Sequence, residues 1–180
     1  MPAGAGKTKL NLPRSLLTAL CLTLFLAAAP ALADVRGQVV SVHDGDTLTV
    51  LIDRRQVRVR LTDIDAPELK QPFGTRSRQS LSNLCFGKIA ALDVRGHDRY
   101  RRTLAQVTCA GKDANAEQVR RGYAWTFVRY ARPDSPLIAL ESEARAAHRG
   151  LWQDSAPVAP WDWRRNVRES SRASIFRAGS

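Results

Sequence analysis

The chain has 180 residues, 44% hydrophobic and 25% charged, with no internal repeat. These values fit one ordinary globular domain with one sizeable core and argue against a multidomain or repeat protein. Its formal charge of +11 and pI near 10.6 give a field that attracts polyanions, although a basic surface also serves solubility alone.

The first 33 residues read as a targeting segment. Lys7, Lys9 and Arg14 precede an apolar run from Leu16 to Ala29, and Ala31-Leu32-Ala33 is the small-x-small pattern of a signal-peptidase site. Cleavage after Ala33 leaves Asp34 first; an uncleaved anchor is the alternative, but the run is short of the roughly 20 residues of a membrane span. Cys21 follows Leu20 inside the run and does not resemble a lipid-attachment cysteine. The remaining chain keeps 25 Lys and Arg against 17 Asp and Glu, a formal +8, so the basic character belongs to the working domain. The expected location is exported, periplasmic or secreted.

Strands come next. Val35–His43 is Val-rich. Leu48, Val50 and Ile52 share a face at period two, as do Val57, Val59 and Leu61, with Arg58 and Arg60 on the opposite face. Residues 53–56 read as a hairpin connection, and Pro67, Pro72 and Gly74 mark a loop. Ser77, Leu81, Leu84 and Cys85 have helical spacing, with Gly87 as the stop. Ile89–Arg95 and Thr103–Cys109 are two further strands. Asp113 caps a short helix reaching Arg121, and Ser135-Pro136 opens a third helix that ends at Gly150. Five short strands with an inserted helix suit an α+β fold: a five-stranded Greek-key barrel of the OB type with about three helices, over residues 34–154. Residues 155–180 read as a Pro/Trp segment that docks on the domain, then a mobile polar tail without periodicity.

Cys85 and Cys109 are the cysteines left after the leader, and an even count in an exported protein suggests one disulfide; two buried thiols are the alternative. His43, His97 and His148 lack zinc-site spacing. The four tryptophans read as core.

Two acidic clusters flank the second and third strands: His43-Asp44-Gly45-Asp46-Thr47 and Asp63-Ile64-Asp65-Ala66-Pro67-Glu68. Adjacent strands bring them to one end of a sheet. Singly, each is an ordinary turn sequence. Together with Arg58 and Arg60 they supply oxygen ligands for a hard cation, guanidinium groups for phosphate oxygens and a carboxylate for water, the groups phosphodiester cleavage uses.

Val42–Thr47, Arg60–Glu68 and the run Asp98-Arg99-Tyr100-Arg101-Arg102-Thr103-Leu104-Ala105 resemble the staphylococcal nuclease family in order and spacing. Asn115, Val119–Gly122 and Gly150-Leu151-Trp152 extend the likeness from about Val35 to Trp152. The resemblance implies residue roles. Asp46 and Asp65 match Ca2+-binding carboxylates, with the Ala66 carbonyl as a further ligand and Asp44 as an outer acidic residue. Arg60 and Arg102 match two catalytic arginines, Glu68 the catalytic glutamate and Tyr100 a substrate-contacting tyrosine. Phe127 and Tyr130 both lie where a second ring belongs, and Tyr130 is the tyrosine of the pair.

Two departures stand out. Arg101 occupies the family's usual Gly, and Asp63 sits where a small residue is common and is expected to face solvent. The implied activity is Ca2+-dependent hydrolysis of DNA and RNA to products ending in 3′-phosphate, by a monomer without a stable protein partner or membrane contact after leader removal. The alternative is an inactive OB-fold binder of single strands.

Overall fold

The structure, a computed structural model, describes residues 35–127 and 134–178, with side-chain surroundings given through Arg172. The leader at 1–33 and Tyr130 lie outside the described residues.

β1 (Val35–Val42), β2 (Thr47–Ile52) and β3 (Arg55–Leu61) form an antiparallel meander, followed by the short β4 (Ile64–Asp65) and helix α1 (Gly74–Cys85). β5 (Ile89–His97) and β6 (Thr103–Cys109) form a hairpin. β5 pairs with β1 and β6 pairs in parallel with β3, so the order β1-β2-β3-β6-β5 closes into a mixed five-stranded barrel. This is the expected OB-type α+β architecture. Its interior is the period-two face: Leu48, Val50, Val59, Leu61, Leu92, Ala105 and Val107 are buried, with Leu81 and Leu84 of α1 across one end.

The β2–β3 connection is tighter than the four residues expected. Asp53 and Arg54 alone make the turn, at φ 46° and 64°, the left-handed pair a two-residue hairpin with matching twist demands. After β7 (Lys112–Asp113), Asp113 caps α2 (Ala114–Arg120) by accepting from Ala116 N at 3.0 Å. β8 (Trp125–Thr126) pairs with β4, and Ser135 accepts from Leu137 N at the start of α3 (Pro136–Ala146). Trp125, Ala144, Leu151 and Trp152 form a second apolar cluster, the two indoles edge to face at 4.9 Å.

Cys85 and Cys109 are joined in a disulfide, Cα atoms 5.3 Å apart, tying α1 to the end of β6. Among the described residues no helix is long and apolar enough to cross a membrane.

The C-terminal segment differs from the sequence reading. Where no periodicity suggested a helix, α4 runs over Pro160–Ala178. It opens with Pro in the first turn and Asp162 beside the helix N-terminus, both favourable there. It lacks an apolar stripe because only its first turn leans on the domain. Trp161 packs against the second apolar cluster, while the side chains of 165–172 are exposed.

Candidate active site

The first acidic loop is closed by its own backbone. His43 N donates to Thr47 O at 2.9 Å, and Asp44 Oδ1 accepts from Asp46 N at 3.0 Å. Gly45 has no room for a side chain: a Cβ would overlap Ser77 Oγ and stand 2.7 Å from Ala66 Cβ. Its carbonyl accepts from the buried Gln118 Nε2 at 2.7 Å, and the same amide donates to Ser77 O at 3.1 Å. Helices α1 and α2 thus fix the loop that aims Asp46 at the barrel end. Asp46, 5% exposed, accepts from Thr47 Oγ1 at 3.0 Å and from Ala66 N at 2.8 Å.

The pairing of β4 with β8 carries Asp65 to the same place, 1% exposed. Arg60 stands between the two carboxylates. Its Nη1 is 3.1 Å from Asp46 Oδ2 and its Nη2 3.1 Å from Asp65 Oδ1, while Nη1 also donates to the carbonyls of Leu61 and Ile64 at 2.8 and 3.0 Å. Burial raises the Asp65 pKa, and Asp46 adds to this; a hydrogen bond from Arg164 and the charges of Arg60 and Arg164 offset part of the rise. Asp44 is pushed up to about 7, by burial first and then by the charge of Asp46. Across the loop, His43 bonds Thr49 Oγ1 at 2.8 Å, and burial with the nearby Arg58 lowers its pKa.

Glu68 follows on a turn tied to α1. Gln71 N donates to Glu68 O at 2.8 Å, and Gln71 Oε1 accepts from Glu68 N at 3.2 Å. Its carboxylate accepts from Arg164 Nη1 at 2.8 Å, and Arg164 Nη2 reaches Asp65 Oδ2 at 2.6 Å. Arg164 therefore joins Asp65 to Glu68; burial alone would lower its pKa, but hydrogen bonds to the two carboxylates and their charges raise it.

Arg102 lines the same cavity but is held apart from the acidic cluster. Its Nε donates to Asp98 Oδ2 at 2.7 Å, and Asp98 Oδ1 accepts from Arg102 N and Tyr100 N, both at 2.9 Å. Burial alone would raise Asp98, but these hydrogen bonds and the guanidinium hold it below the usual carboxylate range. Tyr100 is 66% exposed, with the Arg99 and Arg102 guanidinium carbons 5.0 and 5.6 Å from its ring centre. Arg101 takes φ 64°, the left-handed conformation for which glycine is the unstrained residue. Asp63 also takes φ 62° and is exposed, as expected.

Asp46, Arg60, Asp65, Glu68, Tyr100, Arg102 and Phe127 all line one cavity of about 1170 Å³. Two buried carboxylates, with the backbone of Ala66 beside them, are hard oxygen donors of the kind that could hold a divalent cation. Among the described residues no three acidic, His or Cys side chains are gathered tightly enough to hold a metal, so Asp46 and Asp65 carry the fit, with Glu68 held off on Arg164.

Sequence reasoning thus named acids and two arginines that the fold brings to one cavity. It missed Asp98, although an Asp two residues before Tyr100 and four before Arg102 has the spacing of a side chain closing its own turn. It missed Gln71 and Gln118, which carry no signal beyond being amides. It also missed Arg164, lying 99 residues from Asp65.

Residues 58–154 match the model of the family described as staphylococcal nuclease homologue. The chain is 43% identical over 157 residues to Protein ParB of Escherichia coli, covering 82% of this chain and 89% of that protein. It is 42% identical over 152 residues to the Micrococcal nuclease of Shigella flexneri, covering 79% and 87%. An uncharacterized endonuclease of Haemophilus influenzae is 40% identical over 151 residues, covering 83% and 84%.

Proposed function

Since the chain belongs to the staphylococcal nuclease family and is a nuclease, we propose that it is an exported, Ca2+-dependent enzyme that hydrolyses DNA and RNA to products ending in 3′-phosphate. The observation that carries this reading is the pair of buried carboxylates, Asp46 and Asp65, bridged by Arg60 beside Glu68 in a cavity that also takes in Arg102.

Asp46, Asp65 and the Ala66 carbonyl would hold the cation. When bound, it supplies a Lewis acid against a phosphate oxygen and neutralises charge that builds in the transition state. Arg60 turns its fork from the carboxylates to the phosphate, and Arg102, held by Asp98, clamps from the other side. Glu68 takes a proton from the attacking water. The water oxygen bonds to phosphorus, the bond to the 5′ oxygen breaks and that oxygen takes a proton from solvent, leaving a 3′-phosphate and a 5′-hydroxyl. Tyr100, open to solvent at the cavity rim, is placed to contact the strand. The disulfide suits an oxidising compartment, which supports export.

The test uses the chain from Asp34 with single-stranded DNA and RNA. Both should be degraded in calcium and spared in excess chelator. Magnesium should serve poorly, because it demands strict octahedral geometry and releases water reluctantly. Full activity in chelator overturns the cation assignment, and 5′-phosphate ends overturn the direction of cleavage.

A further inference from the structure

Helix α4 enters the nuclease site at two points. At the first, Arg164 covers the acids: Nη2 lies 2.6 Å from Asp65 Oδ2, and Nη1 lies 3.3 Å from Asp65 Oδ1 and 2.8 Å from Glu68 Oε1. With Arg60 Nη2 also 3.1 Å from Asp65 Oδ1, both oxygens of that carboxylate are engaged by guanidinium groups. At the second, one turn earlier, the Trp161 ring stacks on Phe127 at 5.5 Å and 22°, and Phe127 lines the same cavity as the acids. A ring on an aromatic platform and a cation on the carboxylates together imitate a base and a metal ion.

We infer that α4 is an autoinhibitory strap, in which Arg164 on Asp65 and Glu68 competes with the cation, and Trp161 on Phe127 competes with a nucleobase, until these displace them. The inference rests on the nuclease reading and adds its regulation. The strap is built to open. Its root is fixed, with Gln71 Nε2 donating to Val158 O at 2.6 Å and Ala159 packed in the second apolar cluster. Past Arg164 the described side chains of the helix are exposed, so a swing about Val158–Pro160 draws Trp161 off the second apolar cluster and leaves the barrel intact. Arg164 itself is 37% exposed, and a solvent-screened single charge yields to a divalent one. Gln71 holds both the backbone of Glu68 and the root of α4, so the strap hangs from the loop it inhibits.

Calcium binding without nucleic acid tests this independently of activity. Calorimetric titration of the Asp34–Ser180 chain with calcium chloride alone should show a dissociation constant at least about fivefold lower in Arg164→Ala than in wild type, because the competing closed state is gone. Trp161→Ala should shift the same way by less. Arg165→Ala, at a residue that pairs with Asp162 of its own helix, should match wild type. In wild type, calcium should speed hydrogen exchange of the amides of residues 163–169 without affecting β1–β3, a readout that needs no variant to fold. Unchanged affinity in Arg164→Ala together with unchanged exchange overturns the strap and leaves the nuclease reading standing. Absence of calcium binding in every variant overturns the strap and the cation assignment together.

Discussion

Arg60 Nη1 lies 3.1 Å from Asp46 Oδ2, and through this contact one guanidinium compensates two buried carboxylates. The arginine proposed to clamp the phosphate is therefore also structural before substrate arrives. Arg60→Ala should reduce turnover by roughly 10²–10⁴-fold and, in calcium-free buffer, lower stability by about 1–3 kcal/mol by taking a charged donor from two buried carboxylates. Calcium should restore part of that stability. Denaturation curves with and without calcium check this; a variant as stable as wild type in chelator would contradict the bridging role.

Gly45 sets the approach of the first acidic loop to α1. Gly45→Ala must push Ser77 or Ala66 aside, so it should cost about 1–3 kcal/mol from overpacking and weaken calcium binding by displacing Asp46. Thermal denaturation and calcium titration of the same sample measure both. A variant with wild-type stability would mean the loop relaxes freely.

Asp98 should act on the reaction through Arg102 and through the turn that carries Tyr100. Asp98→Asn frees the guanidinium and should lower turnover, while rescue by Asp98→Glu should be partial because the bond at 2.7 Å sets the reach. The folded pKa of Asp98 lies below its ordinary value, so its stabilisation is fully present above the ordinary value of about 3.9 and disappears as pH falls through the lower folded value. The stability gap between wild type and Asp98→Asn should thus be constant near neutrality and close in acid below about pH 4. A gap that persists there would assign the stabilisation to another group.

The Cys85–Cys109 bridge closes a loop with a sequence separation of 24, worth about 3–4 kcal/mol in the chain-entropy model. Double replacement by Ser should lower stability by an amount of that order and leave the turnover of the folded fraction near wild type. Mass measurement after thiol blocking, with and without reductant, reports whether the bridge forms in exported protein.

These outcomes also separate what the sequence displays from what it hides. The barrel strands were readable because Leu48, Val50, Val59 and Leu61 alternate at a period that burial on one face enforces. Asp46, Arg60, Asp65 and Glu68 were singled out because two acidic clusters flank the second and third strands and their order and spacing resemble the family's. The turn at Asp53-Arg54 was blurred because neither residue is glycine, yet both take left-handed φ. Helix α4 was hidden because its contact with the site runs through Arg164, a polar residue that leaves no apolar stripe. Arg101 shows a departure with a physical meaning: at φ 64° it holds a strained conformation, and Arg101→Gly should change stability by no more than about 1 kcal/mol, since relief of strain and added unfolded-state freedom oppose each other.

The enzyme reading meets its most direct test in Glu68→Gln. Turnover of single-stranded DNA in calcium, with affinity for the same oligonucleotide measured in parallel, should fall by roughly 10²–10⁴-fold. Affinity should hold or rise, because a negative charge beside the phosphate is gone. In the same assay Arg102→Ala should lose far more turnover than Arg101→Ala. Wild-type protein that binds the oligonucleotide as Glu68→Gln does but cleaves nothing, or a Glu68→Gln variant within a few-fold of wild type, would contradict the assignment of Glu68 as the group that activates water.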